Sequence, residues 1–107
     1  MQIPKLERKR RKAEKVVKIR LQDKKECLIT HSTANLTRHH IFYGPLRKKS
    51  EKYGLVVWLQ ADWHNMADYG VHFNPGLDNR LKQIAQREFE RVYGHEKFMA
   101  EFGRNYL

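Results

Sequence analysis

Six histidines stand in this chain of 107 residues, and four of them fall where they could share one task. His39 and His40 are adjacent in the β-prone run Arg38-His39-His40-Ile41-Phe42-Tyr43. Along an extended strand, neighbouring side chains leave on opposite faces. A bend or bulge there would let one ring ligate a metal while the other points at a substrate. His64 lies beyond the next apolar run, and His72 follows eight residues later. Neutral imidazole is the commonest side-chain metal ligand and suits zinc, nickel, copper and iron. A histidine left beside the ion, with an unperturbed pKa of about 6.5, is matched to taking a proton from water at neutral pH. Two strands and a short helix could thus bring three imidazoles to one ion and keep one as a base. His31 and His95 have no patterned neighbours and read as ordinary histidines.

The elements that would position these rings are legible to differing degrees. Leu55-Val56-Val57-Trp58-Leu59, β-branched and aromatic, is the strongest strand signal. Gly44-Pro45 stops the first strand, and Arg47 to Lys52 reads as a charged connection. Ala61 to Ala67 is expected as a short helix holding His64, and Tyr69 to Phe73 as a turn and extended stretch. Asn74-Pro75 is a helix start, with Asn as the cap and Pro in the first turn. From Gly76 to Tyr93, Leu77, Leu81, Ile84, Ala85, Phe89 and Val92 form one apolar stripe, and Gly94 ends it. That stripe is expected to be core or a dimer seam. A shorter helix, Glu96 to Phe102, ends at Gly103. Trp58 is assigned to the core strand, and Trp63 to packing beside the histidine loop rather than to base stacking.

Charge points to the partner. The net charge is +10, the isoelectric point is about 10.0 and the mean hydropathy is −0.83. Residues 1–26 carry eleven Lys/Arg against four Asp/Glu, and this basic arm is expected to be helical. Such a cluster suits a polyanion, because each neutralised phosphate releases condensed counterions. Nucleic acid is therefore the expected partner, with Arg8, Arg10, Arg11, Lys12, Arg38, Arg47, Lys48 and Lys49 as candidate contacts. One cysteine, Cys27, excludes an internal disulfide framework and a four-thiolate zinc site, and reads as a small buried hydrophobe. No apolar run spans a bilayer, and no secretory leader is recognised, so a cytoplasmic setting with no membrane partner is expected.

Several stretches together resemble the small HNH (His-Me finger) endonucleases of phages and prophages. They are Asn35 to Gly44, Ser50 to Leu55, Trp63 to Met66, Gly70 to Asn74, Leu81 to Gln86 and the tail Phe102 to Leu107. The resemblance covers residues 27–107. It implies an α+β fold in which a ββα-metal finger, a two-stranded hairpin plus short helix, is braced by C-terminal helices behind the 1–26 arm. It implies that His39, His64 and His72 bind one divalent ion (Mg, Mn, Ni or Zn), with Asp68 as an alternative third ligand. His40 matches the general base for hydrolysis of DNA phosphodiester bonds, in a bacterial host or phage setting. A second copy of the chain, or a phage packaging or recombination protein, stands open as a further partner.

Two features depart from the family. The paired cysteines of a structural zinc are missing, and no Asn occurs between Pro45 and Leu55 to brace the loop between the strands, leaving Ser50 as the substitute. The alternative reading is therefore an inactive HNH-like protein that binds nucleic acid or regulates, although such a module has no need of a general base.

Overall fold

The computed structural model describes residues 16–66 and 70–107. Its sheet has two antiparallel strands, β1 (Leu36–His40) and β2 (Val56–Gln60), with His39 opposite Val57 and Arg38 opposite Trp58. The connection between them holds a 3-10 turn (Gly44–Leu46) and helix α1 (Arg47–Tyr53). After β2 come a single π turn (Asp62–Met66), a 3-10 turn (Val71–Phe73), helix α2 (Pro75–Tyr93) and helix α3 (His95–Phe102). The domain is a small α+β unit.

A two-stranded sheet cannot bury itself, so its inner face needs a cover. Val57 and Leu59 point inward from β2, while Val56, Trp58 and Gln60 are only half-buried. The cover is aromatic. Phe42, just past β1, meets Phe102 of α3 at 4.5 Å between ring centroids, and Tyr53 of α1 meets Phe89 of α2 at 5.0 Å. Edge-to-face and offset contacts of this kind add to the area that such rings bury. Cys27 is fully buried in the same core, and Trp63 packs against it.

The expected helix starts and stops hold. Asn74 caps α2 by accepting from the Leu77 N–H at 3.1 Å, Pro75 opens it, Gly94 closes it, and Gly103 terminates α3. Within α2 the buried line is Leu81, Ala85, Phe89 and Gln86, whereas Ile84 and Val92 are exposed. The stripe therefore follows the i+4 side of Leu81 and Ala85 and leaves the i+3 side in solvent. Gln86 is buried because it ties down the tail: its side-chain oxygen accepts from the Tyr106 N–H at 2.8 Å, and its Nε2 donates to Asn105 at 2.7 Å.

Five expectations are corrected. Arg47–Tyr53 is a helix, with Ser50 and Tyr53 three residues apart on its buried side and Gly54 as a left-handed C-cap. The first strand runs over Leu36–His40 and leaves Ile41 and Phe42 buried beyond its end. Val71–Phe73 is a 3-10 turn rather than extended, and Trp58 lies on the outer sheet face instead of in the core. Residues 16–26 are not helical, because their backbone groups bond elsewhere. The Ile19 N–H donates to the Tyr53 carbonyl at 2.8 Å, and the Tyr93 hydroxyl donates to the Val17 carbonyl at 2.6 Å. Ile19 is buried and Leu21 half-buried, while Val16 and Val17 are exposed. The arm's residues 1–15 lie outside the described residues.

Gly54 makes this docking possible. It sits at φ +78°, and a Cβ there would run into the Ile19 backbone. Gly54→Ala should lower stability by more than the roughly 1–2 kcal/mol of left-handed strain alone. Gly44→Ala, at φ +63° with open space around it, should cost only the strain. Urea unfolding of the two variants side by side checks the difference.

Candidate metal centre

The strand alternation at His39 and His40 is the first step in building the site. His39 faces inward and is 1% exposed, while His40 is half-buried on the other face. On the inner side His39 meets two rings delivered by the segments after β2. The π turn presents His64, and the 3-10 turn presents His72. Ring centroids are 5.2 Å apart for His39–His64, 5.2 Å for His39–His72 and 4.6 Å for His64–His72. One ligating nitrogen from each lies within 4.8 Å of the others. This is the set of three that the resemblance implied as ligands. Asp68, the alternative ligand, lies outside the described residues.

The donor chemistry fits a cation. His39 Nε2 is buried and has no hydrogen-bond partner among the described residues. Burial, then the neighbouring His64 and His72 rings, hold the His39 pKa down to about 3, so its lone pair is free at neutral pH. Burial and His72 also lower that of His64. The Nε2 atoms of His64 and His72 face each other at 3.0 Å. Two nitrogens bound to one zinc-like ion at about 2.0–2.1 Å each must lie within about 4.2 Å of one another, and this pair does. An unpaired buried nitrogen otherwise costs about 1–3 kcal/mol, which a bound cation would recover.

His40 is held apart from that set. Its Nε2 lies 3.2 Å from Oε1 of Glu51 on α1, and Glu51 also takes both guanidinium nitrogens of Arg38, with Nη2–Oε2 at 2.7 Å. An ionised carboxylate only accepts, so in this contact His40 donates from Nε2. The Arg38 hydrogen bonds, followed by that from His40, hold Glu51 at a pKa of about 2. The Ser50 hydroxyl braces the turn between β1 and α1. It accepts from the Phe42 N–H at 2.9 Å and donates to the Phe42 carbonyl at 2.8 Å, fully buried. Ser50 is the residue that the resemblance left as the substitute for an Asn in this loop.

An open cavity of about 310 Å³ joins the two groups, lined by His39, His40, His64 and His72 together with Tyr43 and Arg47. The Tyr43 ring lies 5.1 Å from His72, and the Lys82 ammonium sits 4.6 Å from the centroid of the same Tyr43 ring. Of the candidate phosphate contacts, Arg47 lines this cavity and has no ion pair among the described residues, and Lys48 is exposed. Arg38 is committed to Glu51. Lys49 is committed to α3, where its ammonium donates to the Glu101 carbonyl at 2.6 Å. Arg8, Arg10, Arg11 and Lys12 lie outside the described residues. His31 and His95 pair with Glu26 and Glu90 on the surface, as ordinary histidines do.

Sequence reasoning missed Glu51, Tyr43 and Lys82. Glu51 carried a signal, because Leu46, Ser50 and Tyr53 recur at helical spacing and put it on the opposite side of α1. No protein-family model, curated protein or solved structure matches the chain.

Two measurements test this geometry. Ser50→Ala should destabilise the domain by about 1–3 kcal/mol, because it strands the buried Phe42 amide; chemical unfolding reads the loss. Glu51, whose ordinary value is 4.5, should titrate near 2 by carboxyl-carbon NMR and move upward in Arg38→Ala. Since its folded pKa is depressed, its contribution to stability is complete above about pH 4.5 and is lost as pH falls toward 2.

Proposed function

We propose that the protein is a metal-dependent nuclease hydrolysing DNA phosphodiester bonds, built on a ββα-metal finger. The observation that carries this reading is the division of labour among four histidines: three face one point, and the fourth is held beside them by a carboxylate. A strand, a second antiparallel strand and the helical turn carrying His64 follow in the order expected of such a finger. Ser50 bracing Phe42 supports the reading at the position of the missing Asn.

His39, His64 and His72 would hold the divalent ion. A bound ion would supply positive charge that stabilises the negative charge developing on the phosphate and its leaving group. The chain's own residues do the remainder. His40 Nδ1 takes a proton from a water molecule, whose oxygen attacks phosphorus in line with the leaving group. The P–O3′ bond breaks, giving a 5′ phosphate and a 3′ hydroxyl. Glu51 keeps the His40 ring in the required tautomer and stabilises the imidazolium that forms, the role a carboxylate plays behind a catalytic histidine elsewhere. Arg38 holds Glu51 ionised, so the cation available to a neighbouring phosphate at the cavity is Arg47.

Purified protein should nick plasmid DNA with Mg²⁺, Mn²⁺ or Ni²⁺, and EDTA should stop it. His40→Ala should lose about 10²-fold or more in rate while still binding metal by calorimetry. His64→Ala should lose metal affinity together with cleavage. If the wild type binds DNA but never cuts it with any of these ions, the inactive binding module becomes the correct reading.

A further inference from the structure

The segment that docks on Gly54 builds a second feature, on the outer face of the sheet. Residues 18–25 stand off that face and leave a groove of about 490 Å³ floored by Val56 and Trp58. Its wall is fastened at several points. Ile19 is hydrogen-bonded to Tyr53, the Gln22 side chain accepts from the Trp58 N–H at 2.7 Å, and the Leu28 N–H donates to the Trp58 carbonyl at 2.9 Å. Lys18, Arg20, Lys24, Lys25 and Arg38 line it, opposed only by Asp23 and by Glu51, which Arg38 already neutralises. Lys18, Arg20 and Lys24 are exposed and have no ion pair among the described residues, and Lys25 rests over the Trp58 ring at 4.5 Å.

Such a concentration of unpaired cations on a pinned wall repels itself unless an anion lies in it. Its position names the anion. Arg38 lines both this groove and the histidine cavity, and Glu51 lines the groove while holding His40. We infer that the groove is a track for the phosphate backbone of the DNA duplex flanking the bond at the histidine cavity. The inference rests on the nucleic-acid half of the proposed function and extends it to Lys18, Arg20, Lys24 and Lys25.

The track is blind to sequence. Gln22 would be the natural reader of a base edge, but both ends of its amide are spent, on Trp58 and on the Glu26 carbonyl. The remaining donors are cations suited to phosphate, which position a duplex without reading it. The sequence before Val16 adds seven more Lys/Arg to the same end of the chain.

The test uses full-length protein carrying His40→Ala, so that bound duplex stays intact, with binding followed by fluorescence anisotropy across a salt series. Adding Arg20→Gln and Lys24→Gln should weaken binding on the order of tenfold and reduce the slope of log K against log salt by about 1.8, equally for unrelated duplex sequences. Arg87→Gln with Arg91→Gln on α2 removes the same net charge and should leave the slope near its starting value. Equal losses in the two pairs would overturn the track, as would a preference for phosphatidylglycerol vesicles over duplex. Plasmid cleavage by the wild type is read separately. Failure to cut with the groove effect intact sinks the nuclease chemistry alone, whereas cutting with no groove effect sinks the track alone.

Discussion

Two histidines side by side on one strand cannot face the same way. That constraint organises the rest of the site. The pleat sends His39 into the interior, where burial strips its proton and leaves a nitrogen without a hydrogen-bond partner among the described residues. It sends His40 outward, within 3.2 Å of Glu51. One dipeptide thus provides both a neutral donor in a dry setting and an anchored imidazole at the edge of solvent.

Holding that arrangement on a two-stranded sheet takes three supports. The aromatic rings of Phe42, Tyr53, Phe89 and Phe102 close the inner face. The Ser50 hydroxyl fixes the chain as it leaves β1, so that α1 presents Glu51 at the height of His40. The chain before β1 presses on Gly54 and covers part of the outer face. Each support involves α1 or its C-cap, which makes this short helix the hinge between the core and the candidate centre.

The electrostatics divide along the same line. On the inner side, three imidazoles crowd together, and burial favours the neutral forms of His39 and His64. On the outer side, Arg38 and Glu51 form a pair that fixes His40 without adding net charge, and the docked segment brings unpaired cations up to it. In the proposed reading, the first side receives a metal ion and the second receives a polyanion.

While the α+β class and the grouping of His39, His64 and His72 rested on the family resemblance, the sequence by itself determined the second strand, the caps of α2 at Asn74 and Gly94, and four histidines placed where they could share one task. These are local signals: β-branched runs, a capping residue, and a pattern of one residue type. Ser50 too was legible, as the one small polar side chain where a brace was needed. The sequence misplaced what depends on contacts between distant segments. Residues 16–26 have helix-forming composition, yet tertiary hydrogen bonds to Tyr53 and from Tyr93 hold Val17 and Ile19 out of a helix. Val92 and Gln86 exchange the roles their polarity suggests, because the C-terminal tail satisfies the glutamine amide. Glu51 could be placed beside His40 only once α1 was folded across the end of β1, since a carboxylate eleven residues away acquires a partner through three-dimensional approach and not through spacing.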